Sequence, residues 1–215
     1  MNELVTRAKT EIAKQATGNR FVSLLEAGAV PDERLRWLAA ELSRLVRGDQ
    51  RSQALLAARY PGPPAGDLFL TLAQGEAEAL RLLGPFASAV GMGPEELRTY
   101  EPLPLAQAYP AYLTQVSVHG TSSAMALALL ANVDDSGETY ARVAAALRTR
   151  YGLSEEAVGH FLFFAETPRE LLDLAAEVLA AGVAAGEDPD EAVRTARIVA
   201  GLETVFWDAL AEGLA

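Results

Sequence analysis

Leucines recur at alternating steps of three and four residues in the segment from about 31 to 60, and this spacing most constrains the fold. Such spacing places side chains on one face of an α-helix. Similar patterns recur along the chain, with Pro and acidic residues at their starts and Gly at their breaks, whereas no alternating run of β-branched residues indicates a strand. The sequence therefore predicts an all-α fold of about eight to ten helices. The leucines that define the pattern are Leu35, Leu38, Leu42, Leu45 and Leu56.

The length of the chain and the size of its breaks bear on domain organisation. A chain of 215 residues can bury one substantial core. The longest Pro- and Gly-rich stretch, residues 61–66, is too short to link two domains and predicts a tight turn. A further break is predicted at Asp134–Gly137, where Asp, Ser and Gly follow one another. We expect a single domain over residues 1–215.

Charge and cysteine usage exclude several function classes. A net charge of −11 repels phosphate backbones, and no Lys/Arg cluster in the sequence is dense enough to override it, so nucleic-acid binding is not expected. The chain contains no cysteine, which excludes disulfides, thiolate metal sites and a Cys nucleophile. No apolar run approaches the roughly 18 residues of a membrane span, and no export signal stands at the start, so we expect a cytoplasmic protein.

Glu203 interrupts the apolar line of the last predicted helix, between Val199 and Phe206. An ionised carboxylate buried without a partner is costly, so it meets a cation, hydrogen-bonds a polar ligand or takes up a proton. A binding pocket satisfies these demands, and so does a purely structural pair with a buried Arg or Tyr.

The helix predicted from about 31 to 60 carries two further acids of interest. Asp49 and Ser52 interrupt its leucine line, which either opens a polar pocket or marks a bend at Gly48 where water enters. Glu41 lies on an adjoining strip, one turn from Trp37, and is the favoured pocket wall of the two acids.

A helix predicted from about Leu103 to His119 has polar aromatic residues on one side. Tyr109, Tyr112, Val116 and His119 lie at helical spacing. Hydroxyl and imidazole groups set in an apolar wall are typical of ligand pockets, although a core face with satisfied polar groups has the same pattern.

Metal and cofactor sites have little support in the sequence. The chain has two histidines, His119 and His160, and lacks the Glu-x-x-His unit of di-iron bundles. Glu156 and His160 are one turn apart, a pair more typical of a solvated helix face. No glycine-rich phosphate loop and no Ser/His/Asp spacing is present. We predict no metal and no cofactor.

Three segments in a fixed order carry a family resemblance: Tyr109–Leu113, Tyr140–Val143 and Glu203–Trp207. In a chain of this length they resemble the thiaminase II (TenA) and PqqC-like group, over most of the chain from about Arg20 to Trp207. The Glu-x-x-Phe-Trp ending is the most specific part. The resemblance implies the haem-oxygenase-like fold, an up-and-down helical bundle around a central pocket, usually assembled as an oligomer.

The resemblance also implies roles for individual residues. Thiaminase II enzymes salvage the aminopyrimidine half of thiamine with a Cys nucleophile, an Asp that binds the pyrimidine, tyrosines that orient it and a Glu in the last helix. Glu203 matches that Glu, and Tyr112 and Tyr140 match pocket tyrosines. Glu41 or its neighbour Leu42 falls where the Asp would stand.

The same resemblance marks what this chain lacks. The Cys position falls near Asn132, so cleavage through a thiolate adduct is excluded. PqqC-like pockets are rich in His and Arg, and the di-iron members carry His-x-x-x-Asp-x-x-His in a late helix, where this chain has Phe164 or Ala165. The resemblance therefore implies a pocket without metal.

These observations predict a metal-free enzyme that acts on a partly aromatic or heterocyclic metabolite by general acid/base catalysis, in salvage or specialised metabolism. The alternatives are a non-catalytic small-molecule-binding or regulatory protein, and a scaffold for oligomerisation. We expect a small-molecule ligand and a homo-oligomer, dimer or tetramer, without nucleic-acid or membrane partners. Glu203 and Tyr112 are the expected catalytic residues. The expected substrate-binding residues are Trp37, Glu41, Asp49, Tyr109, His119, Tyr140, Phe164 and Trp207.

Overall fold

Long α-helices joined by short turns make up the computed structural model, which describes residues 2–15 and 18–215. These two ranges contain ten helices and no strand, which confirms the all-α prediction. In the same ranges, none of the helices combines the length and apolar character that a membrane crossing requires. In chain order the helices are α1 (Asn2–Ala13), α2 (Arg20–Glu26), α3 (Asp32–Arg59), α4 (Ala65–Ala89), α5 (Pro94–Thr99), α6 (Ala108–His119), α7 (Ser122–Tyr151), α8 (Gly159–Ala165), α9 (Arg169–Ala184) and α10 (Pro189–Ala211).

Helix α3 forms as its leucine spacing predicts, and it continues through Gly48. A Cβ at Gly48 would lie 3.2 Å from the Cβ of Pro110, so the missing side chain lets α6 pack closely against α3. Asp49 and Ser52 are both buried. Ser52 makes a 3.3 Å side-chain hydrogen bond with Thr114 of α6, whereas Asp49 faces an internal cavity.

Helix α7 runs unbroken from Ser122 to Tyr151, so the predicted break at Asp134–Gly137 is wrong. A Cβ at Gly137 would lie 3.0 Å from the carbonyl oxygen of Ala165. This glycine therefore marks the close approach of the backbone at the end of α8. The true end is Gly152, whose φ of 67° is the left-handed conformation that terminates many helices.

Helix α6 begins at Ala108, five residues later than predicted. The segment before it contains Pro102 and Pro104, and the residue before a proline is disfavoured in helical conformation. The backbone N–H of Leu103 instead donates to the carboxylate of Glu41 at 2.6 Å.

The core consists of two hydrophobic clusters that meet near the middle of the bundle. Along α10, residues Ala192 to Val199 belong to one cluster, and Phe206 to Ala211 belong to the other. Glu203 lies between them, and Tyr109 of α6 packs against both. A polar cavity occupies this boundary.

Candidate ligand-binding cavity

A cavity of about 170 Å³ lies at the boundary between the two clusters, enclosed mainly by α3, α4, α6, α7 and α10. Engineered protein cavities of about 150 Å³ hold benzene, so this one has room for a single ring with small substituents. Its apolar and aromatic walls are formed by Leu45, Leu72, Tyr109, Leu113, Met125, Tyr140, Phe164, Phe206 and Trp207, among others.

Glu203 lines this cavity and accepts a 2.9 Å hydrogen bond from the hydroxyl of Ser136 on α7. Burial raises the pKa of Glu203, and the charge of Asp135 adds to that effect. The Ser136 hydroxyl and the indole N–H of Trp207 lower the pKa without cancelling the rise. The result is a carboxyl group that exchanges a proton closer to neutral pH than an exposed glutamate does.

Two more carboxylates line the same cavity, Asp49 from α3 and Glu76 from α4. Burial raises the pKa of Glu76 to about 8. Burial also raises the pKa of Asp49 well above its usual range, and the charges of Glu76 and Glu203 raise it further. Glu76 therefore keeps its proton at neutral pH unless a cation approaches it, and Asp49 holds its proton more tightly than an exposed aspartate does.

Several acceptor atoms in the cavity have no hydrogen-bond partner within residues 2–15 and 18–215. They are Oδ1 of Asp49, Oε1 of Gln53 and Oε2 of Glu76. Asp49 is 5% exposed and Gln53 is 7% exposed, so bulk water does not satisfy them. No Lys, Arg or His is among the described residues that line the cavity. A molecule that brings N–H donors or positive charge would supply what these side chains lack.

Two tyrosines add hydroxyl groups to the polar lining. Burial raises the pKa of Tyr109 and of Tyr140 well above the ordinary value, so both keep a neutral hydroxyl that can donate a hydrogen bond. The ring of Tyr140 lies 5.1 Å from that of Phe164 and 5.9 Å from that of Trp207, measured between ring centroids. These three rings form an aromatic wall suited to a planar ligand.

An outer cleft of about 340 Å³ adjoins the cavity. Asn132, Ser136, Glu203 and Trp207 line both spaces, so Glu203 stands at their boundary. The amide nitrogen of Asn132 donates to the backbone carbonyl oxygens of Ala128 at 2.9 Å and Ala196 at 3.4 Å. Polar side chains dominate the rest of the cleft, so water has access to Glu203 from this side: Gln15, Asn19, Asp135, Glu138, Thr139, Arg142 and Thr204.

Six of the ten residues predicted for the site line the cavity together, and their roles stay predictions. They are Asp49, Tyr109, Tyr140, Phe164, Glu203 and Trp207. The other four lie elsewhere. They are Trp37, Glu41, Tyr112 and His119.

Glu41 faces inward as expected but does not wall the cavity. Its Oε1 accepts hydrogen bonds from the Tyr100 hydroxyl at 3.0 Å and the Leu103 N–H at 2.6 Å, and its Oε2 accepts one from Gln107 Nε2 at 2.5 Å. Burial raises the pKa of Glu41, although these bonds oppose the rise. This carboxylate fixes the segment between α5 and α6, and Asp49 is the acid of α3 that reaches the cavity.

The remaining three residues miss the cavity for geometric reasons. Tyr109 and Leu113 define the cavity face of α6. Each residue of a helix is rotated by about 100° from the one before it, so Tyr112 and His119 lie about 60° and 80° from Tyr109 around the helix axis, in the direction away from Leu113. His119 is exposed, and Tyr112 packs against the second cluster. Trp37 lies under the guanidinium of Arg34, 3.9 Å from its ring centroid.

Several polar residues of the cavity were not predicted from the sequence, and Glu76 is the most important of them. A signal for Glu76 was present, because Leu72, Glu76, Ala79 and Leu83 follow helical steps along one face of α4. An acid interrupts that apolar line as Glu203 interrupts the line of α10. The other polar residues without a site prediction are Gln53, Asn132, Ser136 and Thr167.

Comparisons with known proteins agree with this architecture. The family model described as TENA/THI-4/PQQC family matches residues 7–213. No curated protein matches the chain in sequence. A solved domain of unknown function with a haem-oxygenase-like fold from Shewanella denitrificans superposes with a TM-score of 0.75 at 16% identity, over 97% of this chain and 90% of that one.

Two further solved structures carry functional names. A putative TenA-like thiaminase from Sulfolobus solfataricus has a TM-score of 0.64 at 14% identity, over 97% of this chain and 94% of that one. A TenA family transcription regulator from a Silicibacter species has a TM-score of 0.65 at 21% identity, over 98% and 99% of the two chains. At these identities the likeness establishes the haem-oxygenase-like fold.

Proposed function

Because the chain belongs to the TENA/THI-4/PQQC family, we propose that it is an enzyme that binds a small basic heterocycle in the cavity and hydrolyses a substituent of that ring, with Glu203 as general acid/base. The position of Glu203 carries this proposal. Its carboxyl group lines both the cavity, which has the size of one ring, and the outer cleft, which has access to water.

The lining of the cavity supports a basic substrate. Three carboxylates and a Gln oxygen face a space whose described lining has no cationic side chain. An amino-substituted or amidine-like ring offers N–H donors to these acceptors and positive charge to the acids. Tyr140, Phe164 and Trp207 would hold the flat faces of that ring, and the thiaminase name of one similar structure accords with such a substrate.

Water is the proposed nucleophile, since the chain contains no cysteine. Glu203 takes a proton from a water molecule that arrives through the outer cleft, and the water oxygen bonds to the substituted ring carbon. The carbon–nitrogen bond then breaks, and Glu203 returns the proton to the departing amine. Ser136 holds the carboxylate in place, and Tyr140, rather than Tyr112, orients the substrate.

Turnover by a Glu203→Gln variant tests this proposal. A panel of single-ring 4-aminopyrimidines is incubated with the protein, and products are followed by mass spectrometry. Glutamine keeps the Ser136 hydrogen bond but cannot exchange a proton, so turnover falls at least about a hundredfold while the fold is retained. Glu177→Gln, at an exposed position of α9, is the matched control and keeps full activity. Full activity in Glu203→Gln contradicts the proposal.

A non-catalytic ligand-binding or regulatory protein is the second candidate. The missing cysteine and the likeness to a structure named as a transcription regulator favour it. A bound heterocycle that is recovered unchanged after long incubation, while it raises the melting temperature, would support this candidate over the enzyme.

We also propose that residues 1–215 form one cytoplasmic domain that assembles as a dimer or tetramer. Leu162 and Phe163 of α8 are 41% and 37% exposed, which suits a subunit contact. Light scattering that gives the mass of a single chain would contradict this assembly.

A further inference from the structure

A larger groove, of about 880 Å³, lies on a different face of α3 and α6 from the cavity. Among the described residues, four arginines and no acidic residue line it. Such a lining is unusual in a chain with a net charge of −11. The arginines are Arg44, Arg47 and Arg51 of α3 and Arg98 of α5.

The three arginines of α3 are exposed and repel one another. They follow each other at steps of three and four residues, so their side chains are neighbours on the helix surface, where like charges destabilise the helix. Within residues 2–15 and 18–215, none of the three has a carboxylate within ion-pair distance or donates a hydrogen bond to the protein. Arg44 lies near the buried Glu41, and its charge opposes the rise in the pKa of that acid.

Arg98 differs because it is already paired. Its guanidinium donates to both carboxylate oxygens of Glu95 on the same helix. The unneutralised positive charge of the groove is therefore concentrated on α3.

The rest of the groove is apolar or small. Leu80, Leu83 and Ala87 of α4 and Leu97 of α5 line it on one side. Gln107, just before α6, and Thr114 of α6 add polar groups. A guanidinium group binds carboxylate and phosphate oxygens in pairs, and two adjacent groups can share one phosphate. The groove therefore combines sites for a doubly charged anion with a surface for an apolar body.

We propose that this groove binds an organic phosphate monoester, with its phosphate between the arginines of α3 and its apolar part against Leu80, Leu83 and Leu97. The site is separate from the acidic cavity and does not depend on the proposed reaction. No Lys/Arg cluster in the sequence is dense enough to predict binding of a phosphate backbone, and net charge along the chain does not reveal the face of α3 that Arg44, Arg47 and Arg51 share.

Calorimetric titration of the protein with phenyl phosphate at low ionic strength tests the proposal. We expect saturable binding that added salt weakens, and no binding of phenol, which has the ring without the charge. Arg47→Gln combined with Arg51→Gln lowers the affinity at least about tenfold, because charge-assisted hydrogen bonds are lost. Arg36→Gln combined with Arg148→Gln removes the same charge from exposed positions elsewhere and leaves the affinity unchanged.

The possible results are distinguishable. Equal affinity of the groove variant and the control variant overturns the proposal, and so does an absence of saturable binding. Self-association that the groove variant loses, without phenyl phosphate binding, would show that the groove accepts an acidic face of another copy instead. Glu203→Gln is expected to bind phenyl phosphate normally, so the outcome is independent of the proposed enzyme activity.

Discussion

At the scale of single residues, the cavity is defined by three buried acids, and the described residues that line it include no cationic side chain. Asp49, Glu76 and Glu203 come from three different helices, and each has a raised pKa because burial disfavours its charge. Because burial disfavours their charge, these acids hold protons when the cavity is empty, and a cationic ligand would favour their ionised form. Their cost in stability depends on pH.

We predict that Glu76→Gln stabilises the protein at about pH 8 and changes little at about pH 5. The folded-state pKa of Glu76 is about 8 and its ordinary value is 4.5, so the folded chain holds this proton more tightly than the unfolded chain does. The stability that this proton contributes to the fold is present below the ordinary pKa of a glutamate and is lost as pH rises towards 8. The expected gain for the variant at the higher pH is on the order of 3 kcal/mol.

Urea unfolding of both proteins at the two pH values measures this difference. Glu78→Gln is the control on the same helix, because Glu78 pairs with Arg81 and its pKa is lowered. An equal effect of Glu76→Gln at both pH values would rule out the proposed protonation.

Helical spacing in the sequence predicted which acids face inward, but it did not predict which groups those acids contact. Asp49 and Glu203 were found from interrupted apolar lines, and Glu76 follows the same rule. Glu41 faces inward too, but its three hydrogen-bond donors lie in the segment between α5 and α6, about 60 residues further along the chain. Helical spacing carries no information about partners so distant in sequence.

At the scale of elements, α7 shows how a glycine in a helix can be misread. The sequence from Asp134 to Gly137 is typical of a turn, yet α7 continues through it. The end of α8 passes so closely that any side chain at Gly137 would meet the Ala165 carbonyl. Tertiary packing, which local sequence does not encode, explains the glycine.

We predict that Gly137→Ala destabilises the protein by about 1–2 kcal/mol, despite the better helix propensity of alanine. The new methyl group would lie 3.0 Å from a backbone oxygen, and the neighbouring segment would have to shift. Gly75→Ala in α4 is the control, since its methyl group would meet only Phe163 at 3.8 Å. That variant is expected to gain about 0.5–1 kcal/mol. Thermal unfolding compares the two, and stabilisation by both would contradict the packing explanation.

At the scale of the whole molecule, helical periodicity in the sequence predicted the all-α class, and the family resemblance predicted the bundle. Neither predicted where the cavity would lie. Its position follows from two hydrophobic clusters that meet without merging, a property of long-range packing. The structure also separates charge, with three acids inside the cavity and four arginines along one outer groove. We therefore expect cations in the cavity and anions in the groove.

The most direct measurement is calorimetric titration with benzamidine, a single-ring cation, at neutral pH in two buffers of different ionisation enthalpy. We predict binding with release of about one proton per ligand, because the amidinium group favours the ionised form of Asp49 or Glu76. Benzamide, which has the same shape without the charge, is expected to bind at least about tenfold more weakly. Equal affinity for the two compounds, with no proton released, would contradict the account of an acidic cavity built to receive a basic ring.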